Sequence, residues 1–205
     1  MTFSIEEILA FFRRFEYDRR ECIVIERSKD KFGRLLNMAA GYPLAVNDIT
    51  FRTLEHLYQC LRFPMHPRLQ KRIIEKPSPL VAKWVAKPHR KDGRADWFEV
   101  KFSMMWWCLH VKLAQHYDAF GTLLDGTGKK TILETSPDGD LWGGMPSRVK
   151  SKPNILVGSN AFGKMLTLLR EEYRAKPKKQ FMAVEPLAID DFLLLGKRIE
   201  RVVGV

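Results

Sequence analysis

Residues 96–115 read DWFEVKFSMMWWCLHVKLAQ, and this stretch decides the kind of fold. Neither glycine nor proline interrupts it, and the apolar run from Met104 to Leu109 is expected to be buried on most sides of one long helix. A helix of that kind lies inside a domain rather than on its surface. Helical spacing recurs on both sides of it. Thr53 opens a pattern reaching Phe63, with Leu54, Leu57, Tyr58 and Leu61 on one stripe, and Pro64 and Pro67 stop it. Further helices are expected over 68–75, 79–86, 117–124 and 161–174, with the polar KPHRKDGR stretch as a loop. Ser4-Ile5-Glu6-Glu7 is a capping-box signature, predicting a helix over 4–15 with Ile5, Ile8, Leu9, Phe12 and Phe15 on one face. Near the other end, Phe192, Leu193, Leu195, Ile199 and Val202 predict an amphipathic helix over 189–203. Strand signals are few: 22–25, 131–134, and a hairpin over 42–51 turning at Asn47-Asp48. The expected class is α+β, mostly α-helical, with a small β-sheet and extra N- and C-terminal helices.

With 205 residues, 45% hydrophobic and 29% charged, the chain fits one domain with terminal additions. No apolar run approaches the roughly 18 residues of a membrane-spanning helix. The first residues lack the basic start and small-residue cleavage site of a signal peptide. Cys22, Cys60 and Cys108 are too scattered for a disulfide framework or a zinc site, which fits a cytoplasmic protein. The net charge of +11 favours a polyanionic partner such as nucleic acid or a phosphorylated ligand. Surplus lysine on a solvated surface would give the same number.

No metal, Walker or dinucleotide motif is present, and no cofactor is expected. His56 and His110 have no partner at ligand spacing, and Gly126-Thr127-Gly128-Lys129-Lys130 lacks the Walker spacing. Cys60 and Cys108 sit on apolar helix faces and read as core. Three features resist a pure packing explanation. Glu55 stands at a helix start beside an apolar surface, where a partly desolvated carboxylate suits proton transfer. The loop from Ser136 to Gly144 puts Asp138, Asp140 and Trp142 among glycines, in a turn-rich stretch longer than compact domains usually carry. Gly158 to Gly163 leads into a helix whose first N–H groups are suited to a phosphate, or to capping by Asn160.

Taken in order, these pieces resemble the NADAR domain family over residues 30–174. Leu35-Leu36-Asn37-Met38, Tyr42-Pro43-Leu44 and Thr53-Leu54-Glu55-His56-Leu57-Tyr58-Gln59 resemble its entry segment. Arg94-Ala95-Asp96-Trp97, Val100-Lys101, Met105 and Lys112 resemble its middle. Leu123-Leu124, Thr127-Gly128, Leu133-Glu134, Trp142-Gly143 and Gly158 to Gly163 through Arg170 resemble its end. The resemblance implies a catalytic domain over 30–174, flanked by an extension over 1–29 and a linker with a packed helix over 175–205. It implies cleavage of N-glycosidic bonds. One branch of the family acts on phosphoribosylamino-pyrimidine intermediates of riboflavin synthesis, and another removes ADP-ribose from guanine in nucleic acid.

By the same resemblance Glu55 is the catalytic acid–base, with Asp140 or Asp138 holding water or ribose hydroxyls. Lys112, Arg94 and Lys87 are candidates for the phosphates, and Lys112 also for a catalytic amine. Trp97 or Trp142, the latter beside Gly143, would stack on the base, Asn37, Arg94, Trp97, Asn160 and Gly163 would line the pocket, and Arg62 is a further candidate for binding substrate. Two departures stand out. Gly139 replaces the aspartate usual three residues before the loop tryptophan, and Arg62 replaces a lysine that arginine cannot imitate as an amine. They keep open a non-hydrolysing binder of ADP-ribose or nucleic acid. The basic charge favours ADP-ribosylated DNA or RNA as substrate, with Arg13-Arg14, Arg19-Arg20, 176–179 and Lys197-Arg198 as possible phosphate contacts.

Overall fold

The computed structural model describes residues 2–135 and 139–204. In chain order the elements are α1 (Ile5–Phe12), β1 (Phe15–Asp18), β2 (Cys22–Ile25), β3 (Leu44–Val46), β4 (Ile49–Phe51) and α2 (Leu54–Leu61). Next come α3 (Pro67–Ile74), α4 (Pro79–Ala86), α5 (Trp97–Gln115), α6 (Tyr117–Asp125) and β5 (Thr131–Glu134). The chain ends with β6 (Met145–Pro146), β7 (Ile155–Gly158), α7 (Ala161–Ala175), β8 (Ala183–Val184), β9 (Leu193–Leu194), β10 (Lys197–Arg198) and β11 (Val202–Val203). This is the mostly helical α+β class expected. Among the described residues no helix is long and apolar enough to cross a membrane.

The chain divides into two compact units. The first comprises Asn37–Phe120 and Pro177–Val205 with the first three residues. Its centre is α5, buried continuously from Phe102 to Ala114. The indole N–H of Trp107 reaches the Glu185 carbonyl at 2.9 Å, so this large side chain is buried with its polar atom satisfied. The β3–β4 hairpin turns through Asn47 and Asp48 at φ 50° and 60°. Two residues of positive φ are what a tight two-residue hairpin requires, and asparagine and aspartate tolerate it.

The second unit comprises Ser4–Leu36 and Gly121–Lys176. It holds the antiparallel sheet β1-β7-β6 and the parallel pair β2-β5. The capping box is present: Ser4 Oγ accepts from Glu7 N–H, and the Glu7 carboxylate accepts from Ser4 N–H at 2.8 Å. The helix stops at Phe12, short of the expected 15, because Phe15–Asp18 pair with Ile155–Gly158. Phe15 continues the helical stripe in sequence, so only that distant partner reveals the strand. The turn-rich stretch expected to be loop supplies β6 and β7. KPHRKD, expected as loop, winds into a short 3₁₀ turn over Lys87–Asp92.

No helix forms over 189–203. Leu193-Leu194 and Lys197-Arg198 form a hairpin instead, turning through Leu195 and Gly196 at φ 49° and 81°. Gln70, wholly buried, holds it: its amide N–H groups reach the Cys60 and Leu193 carbonyls, and its carbonyl takes the Leu195 N–H at 2.7 Å. The apolar residues that imitate a helical stripe are fastened by a glutamine more than a hundred residues away.

Candidate active site

Within the first unit the site is built on α2. Thr53 occupies the N-cap position, but its hydroxyl meets His56 Nδ1 at 2.8 Å instead of capping a backbone N–H. His56 Nε2 donates to the Lys76 carbonyl at 3.0 Å, which fixes the tautomer and makes this histidine a structural bridge. Burial holds its pKa below the ordinary value.

Glu55 follows in the first turn and is 3% exposed. Its Oε2 accepts from Asn37 Nδ2 at 2.6 Å and its Oε1 from Gln59 Nε2 at 2.8 Å. The Glu55 N–H also donates to the Asn37 carbonyl at 3.0 Å. One amide on each oxygen fixes the carboxylate plane, and the backbone bond fixes the residue carrying it. Tyr58 and Arg62 lie three and seven residues further on, on the same helix face. The buried Tyr58 phenol is pushed well above its ordinary pKa by burial, then by the Glu55 charge. Cys108 is pushed up by the same two causes, and Cys60 by burial. Both thiols are core groups, as their helix faces suggest.

The Tyr58 ring stands 5.2 Å from that of Trp97, and the Arg62 guanidinium lies 5.0 Å from the Trp97 ring centre. Arg62 Nη2 donates to the Arg90 carbonyl at 3.4 Å. Arg94 binds Asp96 through Nε at 2.5 Å and Nη2 at 2.7 Å, and reaches the Asp190 carbonyl at 2.8 Å. This pair holds the Asp96 carboxyl below its usual range. Arg94 also lines a cleft of about 420 Å³ walled by Asp92, Asp96, Asp190 and Asp191. That wall is acidic, a poor setting for the phosphate role expected of Arg94. Lys112, expected at the phosphates or as an amine, is 1% exposed. Its ammonium lies 4.5 Å from the Phe120 ring centre and 5.0 Å from that of Tyr42. Lys87 is exposed at the start of the 3₁₀ turn.

Among the described residues, three buried side-chain polar atoms have no hydrogen-bond partner: Asn37 Oδ1, Arg62 Nε and Arg94 Nη1. Folded proteins leave few such atoms, and each asks for an explanation. All three belong to residues expected to bind substrate. No alignment of polar residues in sequence could have shown this, because it depends on which partners the fold withholds.

The second unit holds the remaining expected residues, except Asp138, which lies outside the described residues. Ser159, Asn160, Ala161 and Phe162 donate their N–H groups to the carbonyls of Asp140, Gly143, Leu141 and Trp142, at 2.6, 3.1, 2.9 and 3.0 Å. The start of α7 is therefore filled by the tryptophan loop and is not open to a phosphate as expected. Asn160 makes no side-chain cap either. Its amide is buried, donating to the Ile132 carbonyl at 2.8 Å and accepting the Glu134 N–H at 3.3 Å. A β-carbon on Gly163 would lie 2.2 Å from the Ile132 carbonyl oxygen. Asn160 and Gly163 thus fasten α7 to β5. Asp140 pairs with Arg14, and Trp142 is half-buried. Gly139 has φ +127°, a conformation that an aspartate would adopt only with strain. Thr127, in the glycine-rich Gly126–Lys130 stretch, is buried between the Leu124 carbonyl and Arg170, so that stretch is structural. Among the described residues no three His, Cys, Asp or Glu side chains gather as a metal would require.

The fold and the first unit's geometry define an α+β protein with a buried carboxylate clamped by two amides at the start of α2. The NADAR domain family matches residues 20–174, and the chain belongs to that family. It is 29% identical to N-glycosidase YbiA of Escherichia coli over 145 residues, 71% of this chain and 84% of that protein. An N-glycosidase of Acanthamoeba polyphaga mimivirus is 32% identical over 105 residues, 50% of this chain and 61% of that protein. The NMR structure of E. coli YbiA aligns with a TM-score of 0.60 at 26% identity, covering 77% of this chain and 91% of that one.

Proposed function

We propose that this chain hydrolyses the N-glycosidic bond between ADP-ribose and guanine in nucleic acid, with Glu55 as its acid–base. Hydrolysis of an N-glycosyl bond follows from the family and from relatives that are N-glycosidases. The observation that carries the site is the clamped Glu55 carboxylate, with orphaned polar atoms on Asn37, Arg62 and Arg94. Breaking a ribosyl–nitrogen bond develops oxocarbenium character at C1′. A buried carboxylate of fixed orientation stabilises that charge, takes a proton from the attacking water and returns one to the departing nitrogen. The unpartnered Asn37 acceptor suits a ribose hydroxyl, the Arg62 donor suits a phosphate or base oxygen, the Arg94 donor in its acidic cleft suits a neutral base carbonyl, and Trp97 offers a stacking face.

The test is product release from guanine-ADP-ribosylated DNA, comparing the wild type with Glu55→Gln. Free ADP-ribose from the wild type, with turnover reduced about 10²–10⁴-fold in the variant, supports the reading. Unchanged turnover in Glu55→Gln would remove Glu55 from its role. Activity on a phosphoribosylamino-pyrimidine alone would move the substrate to the riboflavin-type branch. Tight ADP-ribose binding with no release on either substrate would make the chain a binder, the outcome that Arg62 in place of lysine favours. Asp140→Asn and Trp142→Ala in the same assay test the parts given to the tryptophan loop.

A further inference from the structure

Five of the nine basic residues in the tracts expected to meet nucleic acid are ion-paired within the fold. Arg14 pairs with Asp140, Arg19 with Glu26 and Arg20 with Asp18. Lys176 pairs with Glu172, and Lys178 with Asp118. The segment from Trp84 to Lys101 differs. Of its three acids, Asp92 and Asp96 face His89 and Arg94, and the Glu99 charge acts on Lys101, which leaves Lys87, Arg90 and Lys91 without a carboxylate partner among the described residues. The 3₁₀ turn carrying them lies against Arg62: a β-carbon on Gly93 would sit 3.2 Å from the Arg62 side chain, and the Arg90 carbonyl accepts from it. Burial first, then the Arg90 charge, depress the Arg62 pKa, and Arg62 in turn helps burial depress that of Lys101. Arg62 and Arg90, and Arg62 and Lys101, thus lie close enough to feel each other's charge.

Aromatic rings are interleaved with this charge. Trp84 is 59% and Phe98 55% exposed, though burying such rings is worth more than most side chains. Of the three large aromatic side chains exposed among the described residues, two fall in this segment. Lys101 Nζ lies 4.5 Å from the Phe98 ring centre. Exposed rings beside the exposed cations Arg90 and Lys91 suit a strand whose bases are unstacked and whose phosphates run alongside. A duplex hides its base faces, and an acidic protein surface offers no planes to stack.

We propose that the surface from Trp84 to Lys101 is a track for single-stranded polynucleotide, with Trp84 and Phe98 stacking bases and Arg90 and Lys91 holding phosphates. The track rests on the nucleic-acid reading of the Glu55 site and names the form in which that substrate arrives.

The test is fluorescence anisotropy of the full chain with a labelled, unmodified DNA dodecanucleotide, which needs no hydrolysis. With about two phosphates engaged, the logarithmic salt slope is expected to be about −1.4. Trp84→Ala and Phe98→Ala should each weaken binding about tenfold, and Lys91→Glu should weaken it and flatten the slope. Hydrolysis of a substrate with a single nucleoside and no flanking nucleotides should stay at the wild-type rate in all three. Equal affinity for duplex, or for polyglutamate of matched charge, would overturn the proposal, as would unchanged affinity in the variants. Cleavage of the single-nucleoside substrate without oligonucleotide binding would overturn the track and leave the activity. Binding as expected without any cleavage would support the track and remove the activity.

Discussion

Asn37 acts on Glu55 twice, through its side-chain amide at 2.6 Å and its carbonyl at 3.0 Å. Asn37→Ala removes the first bond and leaves the second. A hydrogen bond to a charged group is worth about 1.5–3 kcal/mol, so kcat should fall roughly 10- to 100-fold. Asn37→Asp places a second carboxylate against the first and should fall further, with partial recovery at low pH where one of the pair is protonated. Steady-state kinetics across pH separate the two. An Asn37→Ala enzyme with wild-type kcat would show that Gln59 alone orients the carboxylate. Arg62→Lys is the complementary change. It introduces the lysine that the family resemblance leads one to expect, but replaces a guanidinium lying 5.0 Å from the Trp97 ring centre by a point charge. The expected result is a higher KM with little change in kcat. A rise in kcat would instead show that an amine at this position takes part in the chemistry.

The junction of α7 with β5 and the C-terminal hairpin each turn on one glycine, for opposite reasons. Gly163 has an ordinary helical backbone but no room, since a β-carbon would lie 2.2 Å from the Ile132 carbonyl. Gly196 has open space around it but φ +81°. Gly163→Ala must push α7 off β5 or displace the Asn160 amide, and overpacking of this kind costs about 1–3 kcal/mol. For a chain of this size each kcal/mol lowers Tm by roughly 2–4 °C. Gly196→Ala pays only backbone strain, about 1–2 kcal/mol. Thermal unfolding of the two variants checks both, and Gly163→Ala as stable as wild type would mean the helix start yields freely. These sites also mark what was legible in the sequence. Helices α2 to α7 and the β3–β4 hairpin carry local patterns, and Glu55 and Asn37 stand in segments that resemble the family. Strands β1 and β7 take their form from each other across more than 130 residues, and the β9–β10 hairpin is fastened by the distant Gln70. The closed start of α7 likewise depends on non-local partners, since its N–H groups meet carbonyls 17 to 20 residues earlier.

Acidification should reach the whole molecule through His56. Its bonds to Thr53 and to the Lys76 carbonyl suit the neutral ring, and burial holds its pKa below the unfolded value of 6.5. Above that value both states leave the ring neutral and pH has no effect through it. As pH falls below 6.5 the unfolded chain binds a proton that folded His56 refuses, so stability falls until the folded value is passed. The slope approaches about 1.4 kcal/mol per pH unit for one such group. Asp96 acts lower. Its folded pKa is depressed by Arg94 from 3.8, so the stability it adds is present above that value and lost only as pH falls through the depressed one. Charge repulsion works in the same direction as His56, because the chain already carries +11 and each of its five histidines adds a charge on protonation. Tm should therefore fall between about pH 7 and pH 5. His56→Gln should start lower, having lost one of the two bonds, but decline less steeply over that window. Differential scanning fluorimetry across pH gives both quantities for each protein. Equal slopes in wild type and variant would assign the acid loss to general repulsion rather than to His56.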